Sequence, residues 1–287
     1  MIMKKILSLL IVCLLIGCTS EKRCHIDEIT NPTDTLCYLK SDMSLLNGIV
    51  FNEFGDLGLY VNGKKDGLHR SWYENGQLIY EINYSVGKLN GLYKEWFDNG
   101  ILICEENFKL NYIEGVNKQW YNNEQLESKG FFENGERDSL YQQWYINGQL
   151  QSEGKFIDGK ENGVYSEWYD NGQLWIERKF KDGELIDGLN ETYHKNGKLY
   201  VEGYYKNNFR NGPFKTWDEN GKIVFEGNYI NGKLNGVSKY YYKGKLNMLV
   251  DYKNGERDRV DKWYHNGKVW RIDEYKDGEL IDKKTYW

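Results

Sequence analysis

The 287-residue chain carries 38 lysine and arginine residues against 43 aspartate and glutamate residues, a formal net charge of -5. A net-acidic chain lacks the basic surface that nucleic-acid binding requires, so we expect neither DNA nor RNA as a partner. Aromatic residues make up 16% of the chain and glycine occurs 31 times. Large amphipathic rings at regular intervals predict a thin sheet close to water and exclude a thick aliphatic core.

The first 17 residues have the pattern of a bacterial export signal. Two lysines precede an apolar stretch, 6–16, which has the length of a signal-peptide core and is too short to span a bilayer. The sequence Leu-Ile-Gly-Cys that ends at Cys18 resembles a lipobox, whose cysteine receives diacylglycerol before cleavage ahead of it. We therefore predict a signal peptide over 1–17 and a lipid on Cys18 that holds the protein at a membrane of the cell envelope. In a Gram-negative cell this is the outer membrane. The alternative is an N-terminal membrane helix or a buried apolar segment.

Residues 18–47 do not contain the repeat motif of the later sequence, and we interpret them as a tether between the lipid and the rest of the chain. Export permits disulfides, so Cys24 and Cys37 in this segment are a candidate pair. Two free thiols are the equal alternative, because the sequence does not give the geometry of the pair. No spacing of cysteine or histidine resembles a metal site, and we expect neither a metal nor a cofactor.

A seven-residue motif recurs along most of the chain at a nearly fixed spacing. Its first copy is Trp72-Tyr73-Glu74-Asn75-Gly76-Gln77-Leu78. The aromatic first position returns, 23 to 25 residues apart, at Trp96, Trp120, Trp144, Trp168, Tyr193, Trp217, Tyr240 and Trp263. A period of this size indicates stacked supersecondary units rather than one globular core.

Each unit has a second landmark, in which an aromatic residue is followed three positions later by glycine and usually by another glycine, as in 84–91. Runs of about seven residues, rich in aromatic and β-branched side chains, separate the landmarks; this is strand length and leaves no room for a capped helix. We therefore predict an all-β fold over 48–287. It is an elongated antiparallel sheet or solenoid of about ten stacked β-hairpins, each about 24 residues long.

The Asn75-Gly76 pair marks the tight end of a hairpin, because glycine adopts positive φ without cost. A two-residue loop would place Trp72 and Leu78 on opposite faces, whereas a three-residue loop places them opposite each other. We choose the longer loop because it also gathers Leu68 and Tyr84 on the same face by simple alternation. This face is predicted to be buried, with an indole ladder that the small residues Gly130, Gly154, Gly203 and Gly227 accommodate.

The opposite face is the candidate binding surface. One predicted row contains Tyr93, Tyr141, Tyr165 and Phe214, and a second contains Tyr121, Tyr145 and Tyr169. Glutamates recur on the same predicted face at Glu81, Glu105, Glu153, Glu177, Glu202 and Glu226. Such rows could recognise a glycan, a basic peptide or a protein strand. Alternatively they are cross-strand ladders that stabilise a thin sheet, with the glutamates solvated or paired to lysine and arginine.

Repeated units that end in Trp-aromatic-x-Asn-Gly-x-Leu resemble the MORN repeat in its bacterial variant form, over about residues 48–287. Within that group the chain looks like proteins labelled YwqK-like antitoxins of toxin–antitoxin systems. The resemblance implies an antiparallel sheet of hairpins and a binding or scaffolding role near a membrane. The chain departs from the pattern at Glu124, Ser139 and Arg259, where glycine is expected, which affects the geometry of those turns.

We do not expect an enzyme. The four histidines pair with no serine or cysteine motif, and six equivalent glutamates lack the asymmetry that a catalytic carboxylate pair needs. We predict a non-enzymatic, lipid-anchored envelope protein that binds or scaffolds another envelope protein. A glycan-binding surface module and an antitoxin are the alternatives. The antitoxin role fits poorly with an export signal, unless the toxin is itself exported.

Overall fold

The computed structural model of the protein describes residues 22–31 and 36–286, so the predicted signal peptide and Cys18 lie outside the described residues. The chain divides into two compact units, the first ending at Tyr112 and the second beginning at Ile113. β-strands are the main secondary structure of both units. Among the described residues, no helix is long and apolar enough to cross a membrane.

The first unit consists of short strands followed by hairpins. Its elements are β1 (Arg23–His25), a 3-10 helix (Ile26–Glu28), β2 (Ile29–Thr30), β3 (Tyr38–Leu39), β4 (Gly48–Asn52), β5 (Gly55–Val61), β6 (Lys64–Trp72), β7 (Leu78–Ser85), β8 (Lys88–Trp96) and β9 (Leu102–Lys109). From β4 to β9 each strand pairs antiparallel with the next.

The N-terminal end of this unit is a packed cap. β1 pairs with β4 in parallel, which sets Cys24 opposite Val50. The N–H of Cys37 donates to the carbonyl oxygen of Gly63 (2.7 Å), and its carbonyl oxygen accepts from the N–H of Leu46 (2.9 Å). One buried cluster contains Cys24, Cys37, Leu39, Leu46, Val50 and Tyr60. The described part of the predicted tether is therefore folded against the first hairpin.

A buried histidine connects this cap to the following hairpins. His69 is 3% exposed, and its ring meets those of Tyr60 and Tyr84 edge-on, with centroids 5.2 Å apart in both pairs. Its Nε2 lies 2.7 Å from the carbonyl oxygen of Leu59. Burial lowers the pKa of His69 to about 4. The ring is therefore neutral at physiological pH and serves as an aromatic core residue whose N–H the Leu59 carbonyl accepts.

The second unit continues the same pattern, after β10 (Tyr112–Ile113) at the boundary. Its strands are β11 (Gly115–Trp120), β12 (Leu126–Glu133), β13 (Glu136–Trp144), β14 (Leu150–Ile157), β15 (Lys160–Trp168), β16 (Leu174–Lys181), β17 (Glu184–Leu185), β18 (Gly188–Tyr193), β19 (Leu199–Lys206), β20 (Phe209–Trp217), β21 (Ile223–Ile230), β22 (Lys233–Leu234), β23 (Gly236–Tyr242), β24 (Lys245–Lys253), β25 (Glu256–Arg257), β26 (Arg259–His265), β27 (Lys268–Lys276) and β28 (Glu279–Thr285). From β11 onwards the strands pair antiparallel in sequence order, so the predicted all-β fold of consecutive hairpins is confirmed.

The hairpin turn has the predicted three-residue loop. Trp72 lies opposite Leu78 in the register of β6 and β7. The N–H of Tyr73 donates to the carbonyl oxygen of Gln77 (2.8 Å), and Gly76 adopts a φ of 82° at the end of the loop. Later copies repeat this register, including Trp144 opposite Leu150. The prediction is wrong at Asn266-Gly267, where His265 lies opposite Lys268 and the loop therefore has two residues. Local turn chemistry therefore fixes where each hairpin closes.

The departures from glycine do not change the turns. Glu124, Ser139 and Arg259 stand where the repeat pattern places glycine, and their φ angles are 66°, 66° and 62°. These values lie in the left-handed region that glycine occupies elsewhere in the repeats. Each of these residues bears a steric cost of about 1 kcal/mol or more that a glycine would avoid. The fold thus imposes the same turn on an unsuitable residue.

Two β-bulges change which side chains share a face in the repeat that begins at Trp72. The register shifts between Ser71 and Trp72, and again between Ile82 and Tyr84. Leu68 and Tyr84 consequently point to opposite faces, and Leu68 is 38% exposed. The prediction that these two residues join Trp72 on one buried face is wrong. Simple alternation fails across a bulge, because the extra residue shifts the side chains by one position.

Two aspartates are fully buried towards the C-terminal end of the second unit. Asp261 in β26 lies directly opposite Asp273 in β27, and both are 0% exposed. Arg257 lies 3.4 Å from Asp261, and Arg271 forms an ion pair with Asp273. Burial raises the pKa of Asp261 to about 6; the charge of Arg257 opposes the rise, and the charge of Asp273 adds to it. The fold thus disfavours the charged form of Asp261.

We expect the contribution of Asp261 to stability to increase as the pH falls. Its folded pKa of about 6 lies above the ordinary value of 3.8 that applies to the unfolded chain. The folded state therefore takes up a proton first, and the free energy of unfolding rises by roughly 2 kcal/mol between about pH 6 and pH 4.

Urea unfolding of the wild type and Asp261→Asn, at about pH 7.5 and pH 4.5, measures this effect. The difference between the two proteins cancels the other titrating groups, including His69. The stability of the wild type relative to the variant should rise at the lower pH. An unchanged difference would contradict a carboxylate buried in this way.

Candidate functional site

Each unit presents two faces, which the strand registers define. We call the inner face the one that carries Tyr93 in the first unit and Tyr141, Tyr165 and Phe214 in the second. The outer face carries their sequence neighbours Lys94, Gln142, Ser166 and Lys215. Most of the buried side chains outside the N-terminal cap belong to the inner face.

The first predicted binding row belongs to the packed inner face. Tyr141 is 9% exposed and Phe214 is 4% exposed, while Tyr93 and Tyr165 are half-buried. A Cβ on Gly154 would lie 2.4 Å from the ring of Tyr165, and Gly130 and Gly203 make the same close approach to Tyr141 and Phe214. These glycines accommodate the row of tyrosine and phenylalanine rings, so the prediction that they make room for indoles is wrong. Tyr141 and Phe214 are buried and therefore do not offer a binding surface, whereas Tyr93 and Tyr165 are half-buried.

The second predicted row ties each repeat to the next. The hydroxyl of Tyr121 donates to the carbonyl oxygen of Trp144 (2.8 Å), and that of Tyr145 donates to Trp168 (2.9 Å). The hydroxyl of Tyr169 donates to the carbonyl oxygen of Tyr193 (3.0 Å). These rings are half-buried and their polar ends are occupied. Their chemistry is therefore structural.

The asparagine of each turn has the same linking role. Asn147 accepts from the N–H of Gln149 through Oδ1 (3.0 Å), which stabilises its own turn. Its Nδ2 donates to the carbonyl oxygen of Asp170 in the following turn (2.7 Å). Asn123, Asn171 and Asn196 make the equivalent pair of bonds. The recurring Asn-Gly motif thus positions neighbouring hairpins as well as closing one.

The glutamates lie on the outer face, which the aromatic row does not share. In the first unit they alternate with cations across the strands: Arg70 Nε lies 2.6 Å from Glu81, and Lys94 Nζ lies 3.1 Å from Glu105. In the second unit Glu226 pairs with Lys239 at 3.1 Å. Cross-strand pairs of opposite charge stabilise a sheet by a few tenths of a kcal/mol each. The predicted ladder of paired glutamates is confirmed at these positions.

The ladder is broken at one place in the second unit. Glu177 on β16 lies directly opposite Glu191 on β18, and Glu191 lies directly opposite Glu202 on β19. Three carboxylates are therefore cross-strand neighbours in a row. The first cation along the row is Lys215, 3.8 Å from Glu202. Like charges directly opposite each other are destabilising, so stability does not account for this arrangement.

A tyrosine holds the central carboxylate. The hydroxyl of Tyr193 donates to Oε2 of Glu191 at 2.6 Å. This hydrogen bond, together with burial, raises the pKa of Tyr193 to about 12, so the phenol remains a donor over the physiological range. Glu191 is thereby fixed in direction while it keeps a second carboxylate oxygen. The site is partly ordered before any ligand arrives.

An open cleft of about 720 Å³ lies beside two of these carboxylates, Glu177 and Glu191. Its lining also includes Leu189 and Tyr193 and the cations Arg178 and Lys179. The repeat is one residue longer here, because Tyr193 follows Trp168 by 25 positions instead of 24. β16 shares two register pairs with β17 and two with β18, so its pairing is interrupted between Leu185 and Glu191. Residues of this interruption, Ile186 and Asp187 among them, line the cleft.

Two exposed aromatic rings lie on the strands that carry Glu177 and Glu202. Trp175 on β16 is 41% exposed and stacks at a tilt on Tyr169, with ring centroids 6.2 Å apart. Tyr200 on β19 is 45% exposed and stacks on His194 at 4.6 Å. Each exposed ring thus packs against a second aromatic ring. Aromatic side chains of this kind supply contact area at low entropic cost.

The remaining predicted residues have simpler outcomes. Cys18 lies outside the described residues. Cys24 and Cys37 are buried free thiols. Among the described residues, no group of three or more histidine, cysteine, aspartate or glutamate side chains could hold a metal ion.

The sequence pattern predicts Glu177 and Glu202 as members of the glutamate ladder, but it does not predict Glu191 or the cleft. The pattern contains one glutamate per repeat, and Glu191 lies on the other strand of the repeat, which carries the cations Arg70 and Lys94 in the first unit. The signal available in the sequence was the 25-residue spacing, which marks the enlarged repeat.

The fold defines an all-β repeat protein of consecutive hairpins. The model of the MORN repeat variant matches six segments, at residues 65–85, 89–110, 113–134, 161–182, 186–207 and 210–231. These six segments are therefore similar to MORN-variant repeats. MORN repeats are non-catalytic modules that generally bind proteins or membranes. No curated protein gives a significant match.

The inner-face assignment predicts unequal effects for two adjacent residues. Tyr141→Ala should lower the free energy of unfolding by roughly 3 kcal/mol, because it empties a packed site between two glycines. Leu140→Ala, at a residue that is 41% exposed on the outer face, should change it by less than about 1 kcal/mol. Urea unfolding of both variants provides the measurement. A larger loss for Leu140 would reverse the two faces.

Proposed function

We propose that the protein is a lipid-anchored component of the cell envelope that binds another protein through the cleft between β16 and β18. The proposed anchor is Cys18, motivated by the lipobox-like sequence. The binding role is supported by the six segments similar to the MORN repeat variant. The observation that carries the proposal is the row Glu177, Glu191 and Glu202, which breaks the charge ladder and whose first two members line the cleft.

The chemistry of the cleft favours a segment with lysine or arginine side chains. A cation placed between two cross-strand carboxylates would replace their repulsion with attraction, as Lys94 does beside Glu105. The exposed rings of Trp175 and Tyr200 could hold an adjacent cation over their faces. Leu189, which is 47% exposed, offers apolar contact for the aliphatic part of such a side chain.

A pair of charge-matched variants separates this site from general acidity. Glu191→Gln should weaken binding of a fluorescent oligolysine peptide and raise the free energy of unfolding by about 0.5 kcal/mol, because it relieves repulsion. Glu226→Gln removes the same charge from a glutamate paired with Lys239, so it should leave peptide binding intact and lower stability slightly. Fluorescence anisotropy and urea unfolding give the two readouts. Equal loss of binding in both variants would indicate a non-specific charge effect and defeat the proposal.

The natural partner can be sought with the same variants. A photo-crosslinking residue at Leu189, in the cleft, should capture an envelope protein in intact cells. One at Phe131, an exposed outer-face residue outside the cleft lining, should not capture it. The adduct from position 189 should disappear when Glu177, Glu191 and Glu202 are replaced by glutamine. An adduct that survives this replacement would place the binding surface elsewhere.

A glycan is the second candidate ligand, because Trp175 and Tyr200 are exposed and each is backed by another ring. They stand two strands apart, about 10 Å, on a sheet whose strands are about 4.8 Å apart. Sugar rings stack on such surfaces, while carboxylates accept hydrogen bonds from their hydroxyl groups. Glycan-array binding that is lost in Trp175→Ala would favour this ligand. A blank array would remove it.

Lipid anchoring predicts a clear change in location. The wild type should fractionate with membranes, and Cys18→Ser should appear in the soluble fraction, because one diacylglycerol-bearing residue supplies the attachment. Membrane fractionation followed by immunoblotting measures the distribution. A Cys18→Ser protein that stays with the membranes would contradict the anchor.

A further inference from the structure

We infer that Cys24 and Cys37 become a disulfide when the protein is exported, and that this bond fastens the lipid-bearing N-terminus to the first hairpin. The inference rests on the export step of the proposed function, because a reducing cytosol would keep both residues as thiols. It concerns the N-terminal cap and is independent of the cleft.

The geometry of the cap brings the two cysteines into one core. Both side chains are 1% exposed and belong to the same buried cluster. Cys24 is placed there by the parallel pairing of β1 with β4. Cys37 is placed there by its two backbone hydrogen bonds, with Gly63 and Leu46. Two separate sets of contacts therefore place both side chains in one buried cluster.

The electrostatics of the cap are consistent with neighbouring sulfur atoms. Burial raises the pKa of Cys37, and the charge of Cys24 raises it further. A buried thiol with a raised pKa is a poor nucleophile in the folded protein. The bond should therefore form during folding, before the cap closes.

The chemistry is a thiol–disulfide exchange with a disulfide oxidant of the envelope, either a protein disulfide or glutathione disulfide. One cysteine, as thiolate, attacks the oxidant and breaks its sulfur–sulfur bond, which gives a mixed disulfide and one reduced thiol. The other cysteine then attacks the mixed disulfide and releases the second thiol. Two cysteine thiols lose two protons and two electrons, and the oxidant is reduced to two thiols.

The bond would have a mechanical consequence. β1 begins at Arg23, five residues after Cys18. A short parallel pairing with β4 and the ion pair of Arg23 with Asp56 hold it. A pull on the lipid anchor would load these contacts first. A covalent link from Cys24 to Cys37 would transfer the load to residues bonded to Leu46 and Gly63, within the first hairpin region.

The sequence allows a direct test by mass spectrometry. Trypsin cleaves after Arg23 and Lys40 and has no site between them, so Cys24 and Cys37 share one peptide. Full-length protein from the envelope fraction is denatured, alkylated and digested. The peptide should be lighter than its dithiol form by two hydrogen atoms, and it should accept two alkyl groups only after reduction. Cys104, in the separate peptide 95–109, should be alkylated without reduction and controls the labelling.

Single variants confirm the pairing. In Cys24→Ser the remaining Cys37 should be alkylated without reduction, and in Cys37→Ser the remaining Cys24 should behave likewise. The wild type should unfold at a lower temperature once a reductant is added, while the double serine variant should show no such shift.

The same experiment distinguishes failure of the disulfide inference from failure of the export proposal. If the N-terminal peptide carries lipid on Cys18 but both cysteines are alkylated directly, the disulfide is refuted and export stands. If no lipid is found and the thiols are free, export fails. The purified full-length protein is then denatured and refolded with glutathione disulfide. Formation of the intrapeptide bond there would support the geometric inference, and two free or glutathione-blocked thiols would refute it.

Discussion

Each hairpin in this protein depends on the next one to complete its hydrogen bonds and cover its side chains. The asparagine of one turn donates to a carbonyl of the following turn, and the tyrosine beside it reaches the tryptophan carbonyl of the following repeat, as Asn147 and Tyr145 do. A single two-stranded hairpin is at best marginally stable in water. The repeats therefore gain stability from their neighbours, and the asparagine and tyrosine of the motif supply the hydrogen bonds between them.

The two faces of the sheet therefore differ in how freely their residues can change. The inner face is restricted, since the ring of Tyr165 leaves no room for a Cβ at Gly154. The outer face has fewer requirements, because a cross-strand pair there contributes only a few tenths of a kcal/mol. Its residues can change without loss of the fold. The run of Glu177, Glu191 and Glu202 is such a change, and it coincides with a cleft, which is why binding is the function we propose for it.

The N-terminal cap poses a different physical problem. A chain of hairpins exposes a sheet edge at its first strand, and such an edge must be covered. Here the parallel strand β1 lies on β4, and the segment from Cys37 to Leu46 packs beside it. β1 is also the first strand after Cys18, so the cap lies between the proposed anchor and the repeats in the sequence. Covering the edge and bearing the anchor thus fall to one small core.

The sequence pattern is sufficient to predict the repeat, the strand content and the closing register of most hairpins. These features are local: Trp72 meets Leu78 because Asn75 and Gly76 form a turn within seven residues. The sequence did not determine the faces, because bulges interrupt alternation and their positions depend on pairing with the next strand. Only the tertiary structure placed Tyr141 inside, set Glu191 between two other glutamates, and brought Cys24 and Cys37 into one core. Those neighbours come from different strands, and spacing along the chain does not report contacts between them.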